Sequence, residues 1–149
     1  MNNNLLPDPK WFIPAVLLYS LLVASVCGAV EIDMEKIAQI ESSNNPLAWN
    51  KKDDSRGLFQ ITPICLEDYN NFHPKAKHTM DDLWNVSIST LIADWYINQR
   101  IPQMLRYYDR EDTVENRIIA FNAGISYVVS GKSIPKITKD YLRKYGELK

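Results

Sequence analysis

The chain has 149 residues, 46% of them hydrophobic, which suffices for one domain with a real core. Its 17 Lys and Arg nearly balance 18 Asp and Glu, so no strong field argues for a nucleic acid or a highly charged partner. No nucleic-acid role is expected.

Taken in order, the chain begins with an uncharged stretch from Trp11 to Val30, with Lys10 before it and Glu31 after it. The basic start, the apolar run from Phe12 to Val26 and the small residues around Cys27-Gly28-Ala29 are the pattern of a signal peptide cut after Ala29. A run of about twenty apolar residues is also long enough to span a bilayer as an uncleaved anchor. Residues 1–29 are therefore expected to be a leader or an anchor, and residues 30–149 a domain outside the cytoplasm that meets a membrane only through that segment. Cleavage would leave Cys65 as the sole cysteine, without an internal disulfide partner.

A helix is expected to open at Ile32 or Asp33. Met34, Ile37 and Ala38 fall at helical spacing, and Glu41 continues the same stripe. A carboxyl at the edge of a buried face either extends into water or is desolvated, and desolvation raises its pKa towards what a general acid near neutral pH requires. Ser42-Ser43-Asn44-Asn45-Pro46 stops the helix, because the residue before proline is pushed out of the helical region and Ser and Asn favour turns. Lys51-Lys52-Asp53-Asp54 reads as a charged, solvated tip, and Leu58 to Thr62 as an extended, half-buried run. A loop or small hairpin here would bring Gln60 back beside Glu41.

Thr62 can cap a helix starting at Pro63, which makes Cys65 a small apolar core residue. A polar loop then runs from Asn70 to Asp82. His73 and His78 read as surface loop histidines with no metal-ligand pattern around them, and no cofactor is expected. Leu83 to Arg100 has the periodicity of a central helix broken at Pro102, with Trp95 and Tyr96 as packing aromatics. A short helix from Met104 to Tyr108, a capped helix from Asp112 to Gly124, a turn-rich link over Tyr127 to Lys132 and a final helix from Ile137 to Lys149 complete the chain.

Three stretches carry a resemblance. Glu41-Ser42, Asn45-Pro46, Ala48, Ser55-Arg56-Gly57-Leu58-Phe59-Gln60-Ile61 and Pro63 form the first; Ala120-Phe121-Asn122-Ala123-Gly124 the second; Pro135, Thr138 and Tyr141 the third. In order and spacing they resemble the signature of the soluble lytic transglycosylases, relatives of goose-type lysozyme. The resemblance implies a mainly α, lysozyme-like single domain with a small loop or hairpin region beside an active-site cleft. It implies cleavage of peptidoglycan glycan strands between N-acetylmuramic acid and N-acetylglucosamine, with Glu41 serving as acid and then as base.

By the same resemblance Gln60 and Asn122 would hold the sugar, and Phe59 would form the wall near Glu41. Asn50 stands about where the family often has a substrate-contacting serine, and Phe121 replaces a tyrosine but can still stack on a sugar face. Tyr141 reads equally as a cleft residue or plain core. Ile137 stands where a glutamate is common, and the Lys51 to Asp54 tip is about one residue longer than the pattern. Two alternatives stay open: a muramidase in which water attacks, of the two-carboxylate kind if Asp53 or Asp54 lined the cleft, and a non-catalytic peptidoglycan-binding module. By analogy, a secretion, conjugation or phage machine is the expected partner complex.

Overall fold

The computed structural model describes residues 30–148, and the leader expected over residues 1–29 lies outside them. Helix α1, Met34–Ser42, begins as expected: the Asp33 side chain accepts hydrogen bonds from the amides of Glu35 and Lys36 and so satisfies two of the free donors of the first turn. It ends at Ser43 and Asn44, both in the left-handed region with φ of 55° and 60°, where their amides fold back onto the carbonyls of Gln39 and Ala38. The Ser42 hydroxyl then donates to the Leu58 carbonyl at 2.8 Å. The end of α1 is thereby tied to the loop that follows the hairpin.

That hairpin pairs β1, Trp49–Asn50, with β2, Ser55–Arg56, antiparallel, with Asn50 opposite Ser55 across a loop of residues 51–54. The extended run expected from Leu58 to Thr62 is instead a turn. Gln60 has φ of 47°, its amide donates to the Gly57 carbonyl, and Ile61 makes an isolated bridge with Arg56. Closing this turn satisfies the backbone locally, which a third strand could not do beside so short a hairpin.

Helix α2, Pro63–Phe72, is capped by Thr62, whose hydroxyl accepts from the Cys65 amide, and Cys65 is buried in the core. His73 and His78 are packed rather than free on the surface: His73 stacks on Tyr69 at 4.2 Å between centroids and meets Trp95 edge-on, while His78 tilts against Tyr69. The flat rings fill the gap between α2 and the central helix.

A 3-10 turn over Met80–Trp84 leads into α3, Val86–Trp95, and Asn85 caps it. The central helix is not broken at Pro102. It passes through a π-helical turn, Tyr96–Arg100, directly into α4, Ile101–Tyr107. In the wider π turn the backbone pairs five residues apart, which makes room for the proline ring and removes the demand for its missing amide.

Helix α5 is Val114–Ala123, capped by Thr113. The link expected to be turns contains α6, Ile125–Ser130, and Ile125 and Val128 pack on Ile101, Leu105 and Ala120. Tertiary burial stabilises a helix here that turn-forming residues alone would not suggest. Helix α7, Lys136–Glu147, returns across α5 and α1, and the Tyr145 hydroxyl accepts from the Asp33 amide at 2.8 Å. Ile37, Ala38, Ile61, Leu66, Leu83, Ile92, Ile97, Ile118 and Tyr141 share one core between these elements. Glu41, in the last turn of α1, stands at its rim.

Candidate active site

The rim opens into a cleft of about 590 Å³ between the hairpin and α5. Glu41, Asn50, Gln60, Phe121 and Asn122, from four separate stretches, all line it. A side pocket of about 360 Å³ shares Glu41, Asn122 and Ile137 with the cleft and adds Tyr141, Arg143 and Lys144. Phe59 lines neither: it is 2% exposed and packed within the core.

Burial is the main influence on Glu41 and lifts its carboxyl from an ordinary 4.5 to about 7. The Tyr141 hydroxyl, reaching towards it from α7, opposes the rise, and the negative charge of Asp53 across the cleft adds to it. Tyr141 itself is 6% exposed, and its buried hydroxyl closes no hydrogen bond of standard geometry among the described residues. Burial, and then the neighbouring Glu41, push the Tyr141 phenol well above its usual range. The side chain is thus both core and side-pocket wall, and a neutral hydroxyl is held beside the carboxyl.

Asn122 is held from behind. The fully buried Thr138 on α7 donates its hydroxyl to Asn122 Oδ1 at 2.8 Å. That bond fixes which end of the amide faces inwards and leaves the amide nitrogen as the group presented to the cleft. Thr138 stands in the sequence pattern without an assigned role, and the partner that gives it one is 16 residues away in the chain.

Gln60 is used differently. Its amide nitrogen donates to the carbonyls of Ala48 and Gly57, both at 3.0 Å, and its Oε1 accepts from the Ser55 hydroxyl at 3.1 Å. Both amide hydrogens are engaged inside the protein, so Gln60 braces the loop and can offer a ligand only the remaining lone pair of Oε1. These bonds hold a non-glycine residue at positive φ, a conformation that needs such support.

Among the further residues that line this cleft, four bear on its chemistry and were left out of the site by sequence reasoning. Tyr96 belongs to it rather than to packing alone, with its ring 6.4 Å from that of Phe121. Ser55 and Cys65 line it as well; burial pushes the Cys65 thiol up to about 12, which keeps it protonated and unreactive. The fourth is Asp53, read from the sequence as solvated. The signal that marks it is the Asp-x-Ser spacing: Asp53 Oδ1 accepts from the Ser55 amide at 3.1 Å and shares the single proton of the Ser55 hydroxyl, 2.9 Å away, with Gln60 Oε1.

The arrangement is a groove open to solvent, lined by a carboxyl raised by burial to about 7 and by a fixed amide. Such a site can hand a proton to an oxygen atom of a bound chain near neutral pH. The family model described as the transglycosylase SLT domain matches residues 33–143, from the cap of α1 into α7, and so takes in every residue named above from Glu41 to Arg143. No curated protein and no solved structure matches the chain. The matched span covers most of the sequence and the whole cleft: the chain belongs to the transglycosylase SLT domain family, lysozyme-like in fold and directed at peptidoglycan.

Proposed function

We propose that the protein is a peptidoglycan lytic transglycosylase that cleaves the bond from N-acetylmuramic acid to N-acetylglucosamine and leaves a 1,6-anhydro end. The observation that supports this most is Glu41, protonated to about pH 7 in the family's own cleft beside the fixed amide of Asn122. Glu41 gives its proton to the departing glycosidic oxygen while the 2-acetamido group of the sugar shields the positive charge at C1. As a carboxylate it then takes the proton of the muramoyl C6 hydroxyl, whose oxygen bonds to C1. A nucleophile already within the same sugar has a very high effective concentration, so one protein carboxyl suffices for this route. Asn122 is suited to hold an acetamido or hydroxyl group, and the Phe121 and Tyr96 rings to take a sugar face.

A leader of the kind expected over residues 1–29 would carry the reaction outside the cytoplasm, into the periplasm or cell envelope. A small exported enzyme of this kind suits local opening of the wall for a secretion, conjugation or phage complex. The test is the mass of the glycan ends released from purified peptidoglycan. Muramoyl ends lighter by one water than a reducing end are expected. Release of reducing ends alone would replace this reading with a muramidase, and binding without release would replace it with a non-catalytic module.

A further inference from the structure

Glu41 and Asn122 stand at a junction. Both line the cleft between the hairpin and α5, and both line the side pocket of about 360 Å³, as does Ile137. That pocket shares Ile40 and Lys144 with a further one of about 340 Å³, which Ser43 and Leu148 bound. A groove therefore branches off at the Glu41 carboxyl and continues along the seam of α1 and α7. Ile137, Asp140 and Lys144 follow one another at three and four residues, which places them on one face of α7.

The branch is unlike the main cleft. Among the described residues its ring is that of the buried Tyr141, so it presents no open face for a sugar, whereas the main cleft has Phe121 and Tyr96. It is apolar at the junction and charged beyond it. Ile137 is 72% exposed there, across from Ile40. Further along, Arg143 is tied to Glu147 at 2.8 Å, while Lys144 and Asp140 belong to no ion pair among the described residues.

A muramoyl sugar with its C1 at Glu41 carries on its C3 oxygen a lactyl group and then a short peptide, whose bulk has to leave the main cleft close to that carboxyl. Its groups come in a fixed order: the methyl of lactate, the methyl of alanine, then the carboxylate of an acidic residue. From Ile137 to Lys144 a helix rises about 10 Å, which an extended chain covers in about three units. Counting lactate as the first unit, the third is the acidic residue. Its carboxylate arrives at the Lys144 ammonium after both methyls have passed the isoleucines.

We propose that the groove between α1 and α7 holds the stem peptide of the muramoyl unit being cleaved, with Ile40 and Ile137 against its first two methyl groups and Lys144 on the carboxylate of its acidic residue. This rests on the proposed glycan cleavage by Glu41. Asp140 gives the same wall a negative group, which suits the amine that such peptides also carry. Binding energy gathered along the peptide holds the sugar ring against Glu41, so the enzyme favours strands that still bear peptides over denuded ones.

Soluble, uncrosslinked glycan strands are compared before and after an amidase has removed the peptides from their lactyl groups, and anhydro ends are counted to give kcat/KM on each. The wild type is expected to favour the peptide-bearing strands by at least about tenfold. In Lys144→Glu the ratio of the two values is expected to fall at least about fivefold, because attraction for the carboxylate becomes repulsion; Lys144→Arg is expected to keep it within about twofold. The ratio is read because any effect of the altered charge on Glu41 is common to both substrates. Lys144 is exposed, so both variants are expected to melt with the parent. Equal kcat/KM on the two substrates in the wild type, or an unchanged ratio in Lys144→Glu, would overturn the peptide groove and leave the transglycosylase reading intact. Absence of anhydro ends from both substrates would instead sink that reading, and the groove's assignment with it.

Discussion

Glu41→Gln is expected to lose activity on peptidoglycan by at least about a thousandfold, because one side chain supplies both proton transfers and each contributes a factor of roughly a hundred or more. Glutamine fills the same volume but offers no transferable proton. The same variant should be more stable than the parent above neutral pH. In the folded protein the carboxyl titrates at about 7, against 4.5 ordinarily, so between those values the unfolded chain has released a proton that the native one keeps.

Stability conferred by a raised carboxyl pKa is intact below the unfolded value and is lost as pH rises through the folded one. The loss levels off above pH 7 at about 3 kcal/mol, which glutamine does not suffer. Thermal melts should therefore superimpose near about pH 4 and separate near about pH 8, with the variant higher. Equal melting temperatures at both values would mean that Glu41 is solvated. Retained activity would remove it from the mechanism.

Gly57→Ala is expected to produce the largest loss of stability. Gly57 has φ of 78°, and a Cβ there would clash with the Leu83 carbonyl oxygen and lie 3.1 Å from Ser89 Oγ. The left-handed backbone of a residue with a side chain costs about 1 kcal/mol or more, and overpacking against fixed backbone adds about 1–3 kcal/mol. The Leu83 carbonyl belongs to the 3-10 turn below and cannot rotate away. A fall in melting temperature of roughly 10 °C or more is expected. The site should loosen too, because the Gly57 carbonyl takes the Gln60 amide and the next residue, Leu58, takes the Ser42 hydroxyl. A melting temperature within a degree or two of the parent would contradict the close contact.

Helix α1 and the position of Glu41 were legible because everything that sets them is local: the Asp33 cap, the apolar spacing and the Ser-Asn-Pro stop. The helices after Thr62 and Thr113 could be read for the same reason. Pro102 misled because a proline is a breaker only in an ordinary α register, and the π turn before it is stabilised by packing around Ile97 and Ile101 that no local rule contains. Leu58 to Thr62 looked extended by residue type, yet Gln60 is turned back by bonds to Ala48, Gly57 and Ser55.

In the site, motif spacing brought Glu41 and Asn122 to one cleft, but which amide is free towards it depends on tertiary partners. Asn122 is oriented by Thr138 on another helix, whereas Gln60 is bonded inwards. The difference between Asp53 and Asp54 likewise depends on Trp49 and Arg56 taking one of them.

The most direct measurement is the titration of Glu41 itself, followed by carbon-13 NMR of carboxyl-labelled glutamate and assigned by the resonance missing in Glu41→Gln. A midpoint near 7 is expected, set by burial and held up by Asp53. A midpoint near the ordinary 4.5 would mean that the carboxyl is ionised and hydrated at neutral pH, and would contradict its role as the acid of this cleft.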